Sequence, residues 1–224
     1  MSRVDLGLLE GRRLAVVSFS AFPGDPRPRR AAEACSAMGM QVEVICLRGD
    51  GETKRESFRG IEIDRIAIKK SRSSKIWYVL QYCFFLGAAF MKLAGRSLTR
   101  RYHVVHVHNM PDVLVFAAIV PRLFGARVIL DLHDPMPELM MTIFNVSPGS
   151  RTVKWMARLE RWSIAFADVV ITVNRACEKL FTARGARAQK IRVVMNSPDE
   201  TIFKFMPAQA AVDNGKPFVV MYHG

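Results

Sequence analysis

The sequence predicts an α/β protein built on a doubly wound, parallel sheet, and three features carry that prediction. Short Val/Ile-rich runs recur along the chain, segments with helical spacing separate them, and half of the residues are apolar. Near-continuous β-branched runs suit strands buried on both faces, and strand-helix-strand order implies parallel neighbours joined by right-handed crossovers. At 224 residues the chain is long enough for a large core.

The elements follow in order. "RLAVVSFS" (13–20) is the first strand and "RRAAEACSAMG" (29–39) the first helix, with Gly39 placed to end it. "QVEVICL" (41–47) and "IEIDRIAI" (61–68) are strands. "KIWYVLQYCFFLGAAFMKLAGRSLTRR" (75–101) is the longest apolar helix. "HVVHVHN" (103–109) is a strand, "PDVLVFAAIVPRLFG" (111–125) a helix, and "ARVILDLH" (126–133), "DVVITVN" (168–174) and "KIRVVMN" (190–196) complete the strand set. These elements make one Rossmann-like domain, assigned to residues 1–205. "MPAQAAVDNGKP" reads as a linker over 206–217, and 218–224 as the first strand of a further domain.

Composition bounds the setting. Asp5 and Glu10 interrupt the region where an export signal needs unbroken apolar residues. The four cysteines, Cys35, Cys46, Cys83 and Cys177, show neither C-x-x-C spacing nor a Cys/His cluster, which fits reduced thiols inside a cell. A cytoplasmic protein is expected.

The formal charge of +13 points to a polyanionic partner. From Arg65 to Pro111 there is no acidic residue, and Arg65, Lys69, Lys70, Arg72, Lys75, Lys92, Arg96, Arg100 and Arg101 fall within that block. Trp77, Tyr78, Phe84 and Phe85 lie in the apolar segment between the basic flanks, a pattern suited to a helix in an anionic membrane interface. The run from Ile76 to Met91 is short of the roughly 20 residues a spanning helix needs. A core helix of the sheet's outer layer is the competing reading. Nucleic acid is not expected, because a stacking groove interleaves aromatic and basic residues and this helix does not.

Ligands of open parallel sheets bind beyond the carboxyl ends of the strands, so the residues at those ends are the candidate site. After the first strand, Gly24 permits close backbone approach, and Arg27, Arg29 and Arg30 can meet an anion beside a helix start. At the end of 103–109, His106 and His108 share a face, and His108 and Asn109 are hydrogen-bonding groups. In "VILDLHDPMPE" (128–138), Asp131 and His133 share a face and Asp134 opens a loop stiffened by Pro135 and Pro137. A histidine beside carboxylates suits polarising or protonating a substrate oxygen. A metal site of His106, His108, Asp131 and His133 is the alternative. Asn196 ends the last strand, and "SPDE" after it reads as a helix start.

In this order, "PGDPRPRRAAEA", "YHVVHVHNMPD", "ILDLHDPMPE", "ITVN" and "VVMNSPDETIF" resemble the N-terminal domain of glycosyltransferase family 4, of the GT-B fold. The resemblance covers about residues 12–224. It implies a retaining, metal-independent and cofactor-free transferase of two Rossmann-like domains: the N-terminal one takes the acceptor, often at a membrane, and the other holds the nucleotide-sugar donor. By that resemblance His133 and Asp134 are catalytic groups facing the donor sugar. Gly24, Asp25, Arg27, His108, Asn109, Asp131, Glu138 and Asn196 bind substrates. Trp77, Tyr78, Phe84, Phe85, Lys69, Lys70, Lys75, Arg100 and Arg101 meet the membrane, peripherally on its inner face. "YHG" (222–224) matches the first strand of the donor domain. The expected partners are a nucleotide sugar, a glycan or lipid-linked acceptor and a donor domain, carried elsewhere or on a separate subunit. The chain alone is expected to be inactive; a non-catalytic, acceptor-presenting subunit is the alternative.

Overall fold

The computed structural model describes residues 6–68 and 75–197, together with Lys204. The expected linker and the strand after it, the helix start at Pro198, and Lys69 and Lys70 lie outside the described residues.

Among the described residues there are eight strands: β1 (Arg13–Ala21), β2 (Gln41–Leu47), β3 (Arg55–Phe58), β4 (Ile61–Ile66), β5 (Val104–His108), β6 (Arg127–Leu132), β7 (Val169–Thr172) and β8 (Ile191–Val193). They form one sheet in the order β3-β4-β2-β1-β5-β6-β7-β8. Every pairing is parallel except β3 with β4. The chain winds outward from β1 in one direction through β2, then returns to build the other half from β5, so the switch point lies between β1 and β5.

The helices are α1 (Pro26–Ala37), α2 (Lys75–Ser97), α3 (Ile119–Leu123), α4 (Met136–Phe144), α5 (Arg151–Phe166) and α6 (Arg175–Ala183). β1 and β2 alternate their side chains between two apolar layers, as expected where the sheet is covered on both faces. Leu14 and Val16 of β1 pack with Ala32 of α1. Ala15, Val17 and Phe19 pack on the opposite face with Phe85, Ala89 and Leu93 of α2 and Ile164 of α5.

Local chemistry explains several element ends. α1 begins three residues earlier than its spacing suggested, because Asp25 caps it by accepting from the Arg27 amide and Pro26 takes the first helical position. Gly39, at φ +82°, follows its end as expected. β3 was not anticipated: its sequence, RESF, is short, charged and mostly exposed. It exists because Arg59 (φ 51°) and Gly60 (φ 79°) form a two-residue hairpin turn that folds it back on β4. The expected helix at 111–125 opens as a 3-10 turn, Asp112–Ala118, before α3. β8 stops at Val193, leaving Asn196 exposed beyond the sheet.

The basic block and the apolar helix are corrected in part. Arg65, counted in the basic block, is fully buried: its guanidinium meets Glu52 at 3.0 Å and Glu56 at 2.7 Å and donates to the carbonyls of Phe22 and Thr53. Lys92 and Arg96 are spent on Asp64, and Arg96 and Arg100 on Glu43. Burial works to raise the Asp64 carboxyl, but those two cations outweigh it and hold it below the usual range. Phe85, expected at a membrane, is 0% exposed and packs edge-on against Phe19 at 5.1 Å. It occupies the inward stripe with Gln81, Ala89 and Leu93, whereas Phe84 next to it is 63% exposed.

Candidate active site

The site is assembled by register. In the β1–β5 and β5–β6 ladders, Ser18 pairs with His108 and His108 with Asp131, so residues toward the carboxyl ends of three central strands lie side by side. His106 and His108, two apart on β5, stack their rings at 4.3 Å. His133, just past β6, stacks against His108 at 5.4 Å, and His108 Nδ1 lies 3.2 Å from His133 Nε2. Asp131 sits among all three: Oδ2 is 3.5 Å from His106 Nε2 and 3.4 Å from His108 Nδ1, and Oδ1 is 3.7 Å from His133 Nδ1. All four side chains are buried.

Burial sets the charge states. It holds His108 well below the ordinary imidazole range, helped by its histidine neighbours against the opposing pull of Asp131. Burial likewise lowers His133, and Asp131 only partly offsets it. Desolvation pushes Asp131 upward, but the surrounding histidines prevail and its carboxyl stays below its ordinary value. The site thus sets an ionised carboxylate beside two imidazoles, His108 and His133, whose neutral forms burial favours. At neutral pH His133 is a hydrogen-bonding group able to polarise a substrate oxygen, which narrows the expected choice between polarising and protonating.

Asn109 is committed to structure. Its Nδ2 donates to Asp112 Oδ1 at 3.1 Å and to the Asp134 carbonyl at 2.9 Å; its Oδ1 accepts from the His133 amide at 2.9 Å. Its own amide donates to the Asp131 carbonyl at 2.9 Å. Its side-chain polar groups are therefore taken up in fixing the loop after β6, where a substrate-binding wall was expected. Beneath it lies Asp112, which the sequence reading did not single out. Complete burial, with Glu160 adding to it and Asn109 opposing, raises the Asp112 carboxyl to about 7. The only sequence signal for it was an acid at the start of a segment that stays apolar as far as Pro121.

The remaining expected residues divide. Gly24 and Asp25 lie in the β1–α1 loop, which Arg65 braces through the Phe22 carbonyl, and Arg27 follows, exposed, at the start of α1. Arg27 is close enough to disfavour protonation of both His108 and His133. The side chain of Asp134 is exposed. Glu138, in the first turn of α4, is ion-paired with Arg184, which also meets Glu160 at 3.0 Å. That fixes α4 to α5 and α6. Asn196 is exposed and apart from the histidine cluster's contacts.

On the outer face of α2, Trp77, Val79, Leu80, Phe84 and Met91 are exposed, and Leu98 continues their stripe. Ile119, Leu123 and Phe124, in and beside α3, are exposed next to it. Of the cations expected there, Arg100 and Arg101 are exposed; the side chains of Lys75 and Tyr78 lie outside the description. Among the described residues no helix is long and apolar enough to cross a membrane.

Comparison with known proteins agrees with this architecture. The sequence model of a glycosyl transferase 4-like domain matches residues 25–197. A sucrose-phosphate synthase structure from Thermosynechococcus elongatus superposes with a TM-score of 0.54 at 15% identity, covering 85% of this chain and 93% of that one. Phytolacca americana UGT2, solved with UDP-2-fluoro-glucose and pterostilbene, gives a TM-score of 0.56 at 10% identity over 86% of this chain and 56% of that one. HepE of Anabaena, in complex with UDP-glucose, gives 0.52 at 16% identity over 87% of this chain and 46% of its own. At these identities the likeness establishes a shared fold, that of one Rossmann-like half of a GT-B protein. The chain spans about half of the latter two. A search of curated proteins finds no significant match.

Proposed function

The chain belongs to the glycosyl transferase 4-like domain family, and from that premise we propose that it is the acceptor-side half of a retaining glycosyltransferase whose nucleotide-sugar donor is held by a second Rossmann-like domain. The observation that carries the reading is the placement of Asp131, His108 and His133 beside the β1–β5 switch point, where open parallel sheets bind ligands. Spanning 56% and 46% of two sugar-nucleotide-binding GT-B chains supports a role as one half of such an enzyme.

In the proposed reaction the leaving diphosphate takes the acceptor proton on the same face of the sugar. His133, neutral and aimed by His108 and the Asn109 clamp, donates a hydrogen bond to the donor sugar as charge develops on it. The Gly24–Asp25 loop gives close backbone approach, and Arg27 offers a cation to an anionic group. Asp134 stands at the same edge, exposed toward the cleft that a second domain would close. In the enzyme carrying both domains, His133→Ala lowers kcat roughly a hundredfold with a nucleotide sugar and acceptor supplied. Unchanged turnover removes the role assigned to His133.

The exposed apolar stripe of α2, with the exposed Arg101 beyond its end, favours a membrane-proximal acceptor and a peripheral position on an anionic, cytoplasmic membrane face. A non-catalytic acceptor-presenting subunit shares this surface. Sugar transfer by the two-domain enzyme that disappears in His133→Ala excludes it.

A further inference from the structure

His106, His108 and Asp131 are poorly satisfied as a hydrogen-bond network. His106 Nε2 and His108 Nδ1 both approach Asp131 Oδ2, at 3.5 and 3.4 Å. His106 Nε2 nevertheless has no hydrogen-bond partner, although it is buried. His108 Nδ1 faces Asp131 Oδ2 and His133 Nε2 together, and a ring nitrogen carries at most one proton along one direction. Buried polar atoms ordinarily find partners, and those that do not call for an explanation such as an ion.

As a coordination set the same atoms fit well. The three donors all lie within 4.8 Å of one another. A tetrahedral ion with bonds of about 2.0–2.1 Å to imidazole and carboxylate separates neighbouring ligands by about 3.3–3.4 Å, close to both distances measured to Asp131 Oδ2. The set is built by the sheet itself: alternation puts the two histidines on one face of β5, and register sets Asp131 directly beside His108. At 6%, 1% and 9% exposure, the three residues are shielded from competing water.

We infer that His106, His108 and Asp131 form a binding site for a divalent transition ion of the zinc class, with a fourth position left for water or a ligand oxygen. Two imidazoles and one carboxylate suit zinc and its neighbours, whereas magnesium and calcium favour oxygen ligands. The ion ties β5 to β6 and takes the lone pair of His108 Nδ1, which releases His133 Nε2 from that contact. The site shares His108 and Asp131 with the cluster proposed for glycosyl transfer, but metal binding is read without sugar transfer, so failure of one reading is distinguishable from failure of the other.

The test is titration of the chelator-treated, purified protein with Zn²⁺ alone, counting the metal retained after desalting, and with Co²⁺ as a spectroscopic probe. Wild type retains one ion per chain, melts at a higher temperature with it, and gives a tetrahedral Co²⁺ spectrum free of thiolate charge transfer. His106→Ala, His108→Ala and Asp131→Asn each weaken binding by roughly tenfold or more. His103→Ala, at a histidine bonded to the Arg13 amide outside the cluster, binds as wild type does. His106→Gln serves wherever circular dichroism shows that an alanine variant has not folded. Absence of stoichiometric Zn²⁺ on wild type, a thiolate-type Co²⁺ spectrum, or equal retention by the folded ligand variants overturns the proposal.

Discussion

The side-chain amide of Asn109 receives the backbone N–H of His133 at 2.9 Å and returns a hydrogen bond to the carbonyl of Asp134 at the same distance. One residue at the end of β5 thereby fixes the backbone of the loop that follows β6. Replacing it with alanine leaves a buried amide and the Asp112 carboxyl without their partners. Unpaired buried groups cost about 1–3 kcal/mol each. Asn109→Ala should lose about 2–4 kcal/mol in urea denaturation and reduce transfer by the two-domain enzyme. A loss below about 0.5 kcal/mol would show that the clamp is dispensable.

Asp112 makes stability depend on pH. Its carboxyl is raised to about 7 in the fold from an ordinary 3.8, chiefly by burial. The protonated form is the one the fold favours, so this contribution is fully present below about pH 4 and is lost as pH rises through about 7. Asp112→Asn, which can keep accepting from Asn109 Nδ2, removes the dependence. The stability of the variant relative to wild type should therefore grow between pH 4 and 7, reaching as much as about 4 kcal/mol. Parallel stability curves for the two proteins over that range contradict the assignment.

Phe84 and Phe85 are adjacent on α2 and should behave oppositely. Phe85→Ala opens a cavity beneath Phe19 and costs about 3–5 kcal/mol. Trp77→Ser and Phe84→Ser, on the exposed stripe, change stability by about 0.5 kcal/mol or less. The same two changes should reduce sedimentation with anionic vesicles. Equal sedimentation of that double variant and wild type would end the interfacial-helix reading.

Arg65 braces the β1–α1 loop from inside. Arg65→Met abolishes its pairs with Glu52 and Glu56 and its bonds to the Phe22 and Thr53 carbonyls. The two acids are partly exposed, so most of the cost comes from the Phe22 carbonyl left unpaired in a buried place, about 1–3 kcal/mol. Arg65→Lys restores charge without the planar fork and should recover only part of the loss in chemical denaturation. Full recovery with lysine would mean that charge alone is required.

Much of the fold was legible because it is written in short-range patterns. The Val/Ile runs located seven of the eight strands to within a few residues. β3 escaped because an exposed edge strand carries no apolar run, leaving only Arg59 and Gly60 to announce the turn. The carboxyl-edge residues were legible too, since strand alternation alone places His106 with His108 and Asp131 with His133. Their pairing was not: alternation says which side a residue takes and nothing about the strand it meets.

The sequence by itself thus determined the class of sheet, the winding implied by strand and helix order, and the stretches that end at its carboxyl edge. These follow from periodicity and local backbone chemistry. The tertiary structure decided which of two adjacent phenylalanines is core, that Arg65, Lys92 and Arg96 are neutralised within the fold, and that Asn109 serves the backbone. It also brought His106, His108, Asp131 and His133 within reach of one another. Those outcomes depend on register and packing between residues distant along the chain, such as Phe19 with Phe85 or His108 with Asp131, where interaction energy falls with a distance that only the folded chain defines.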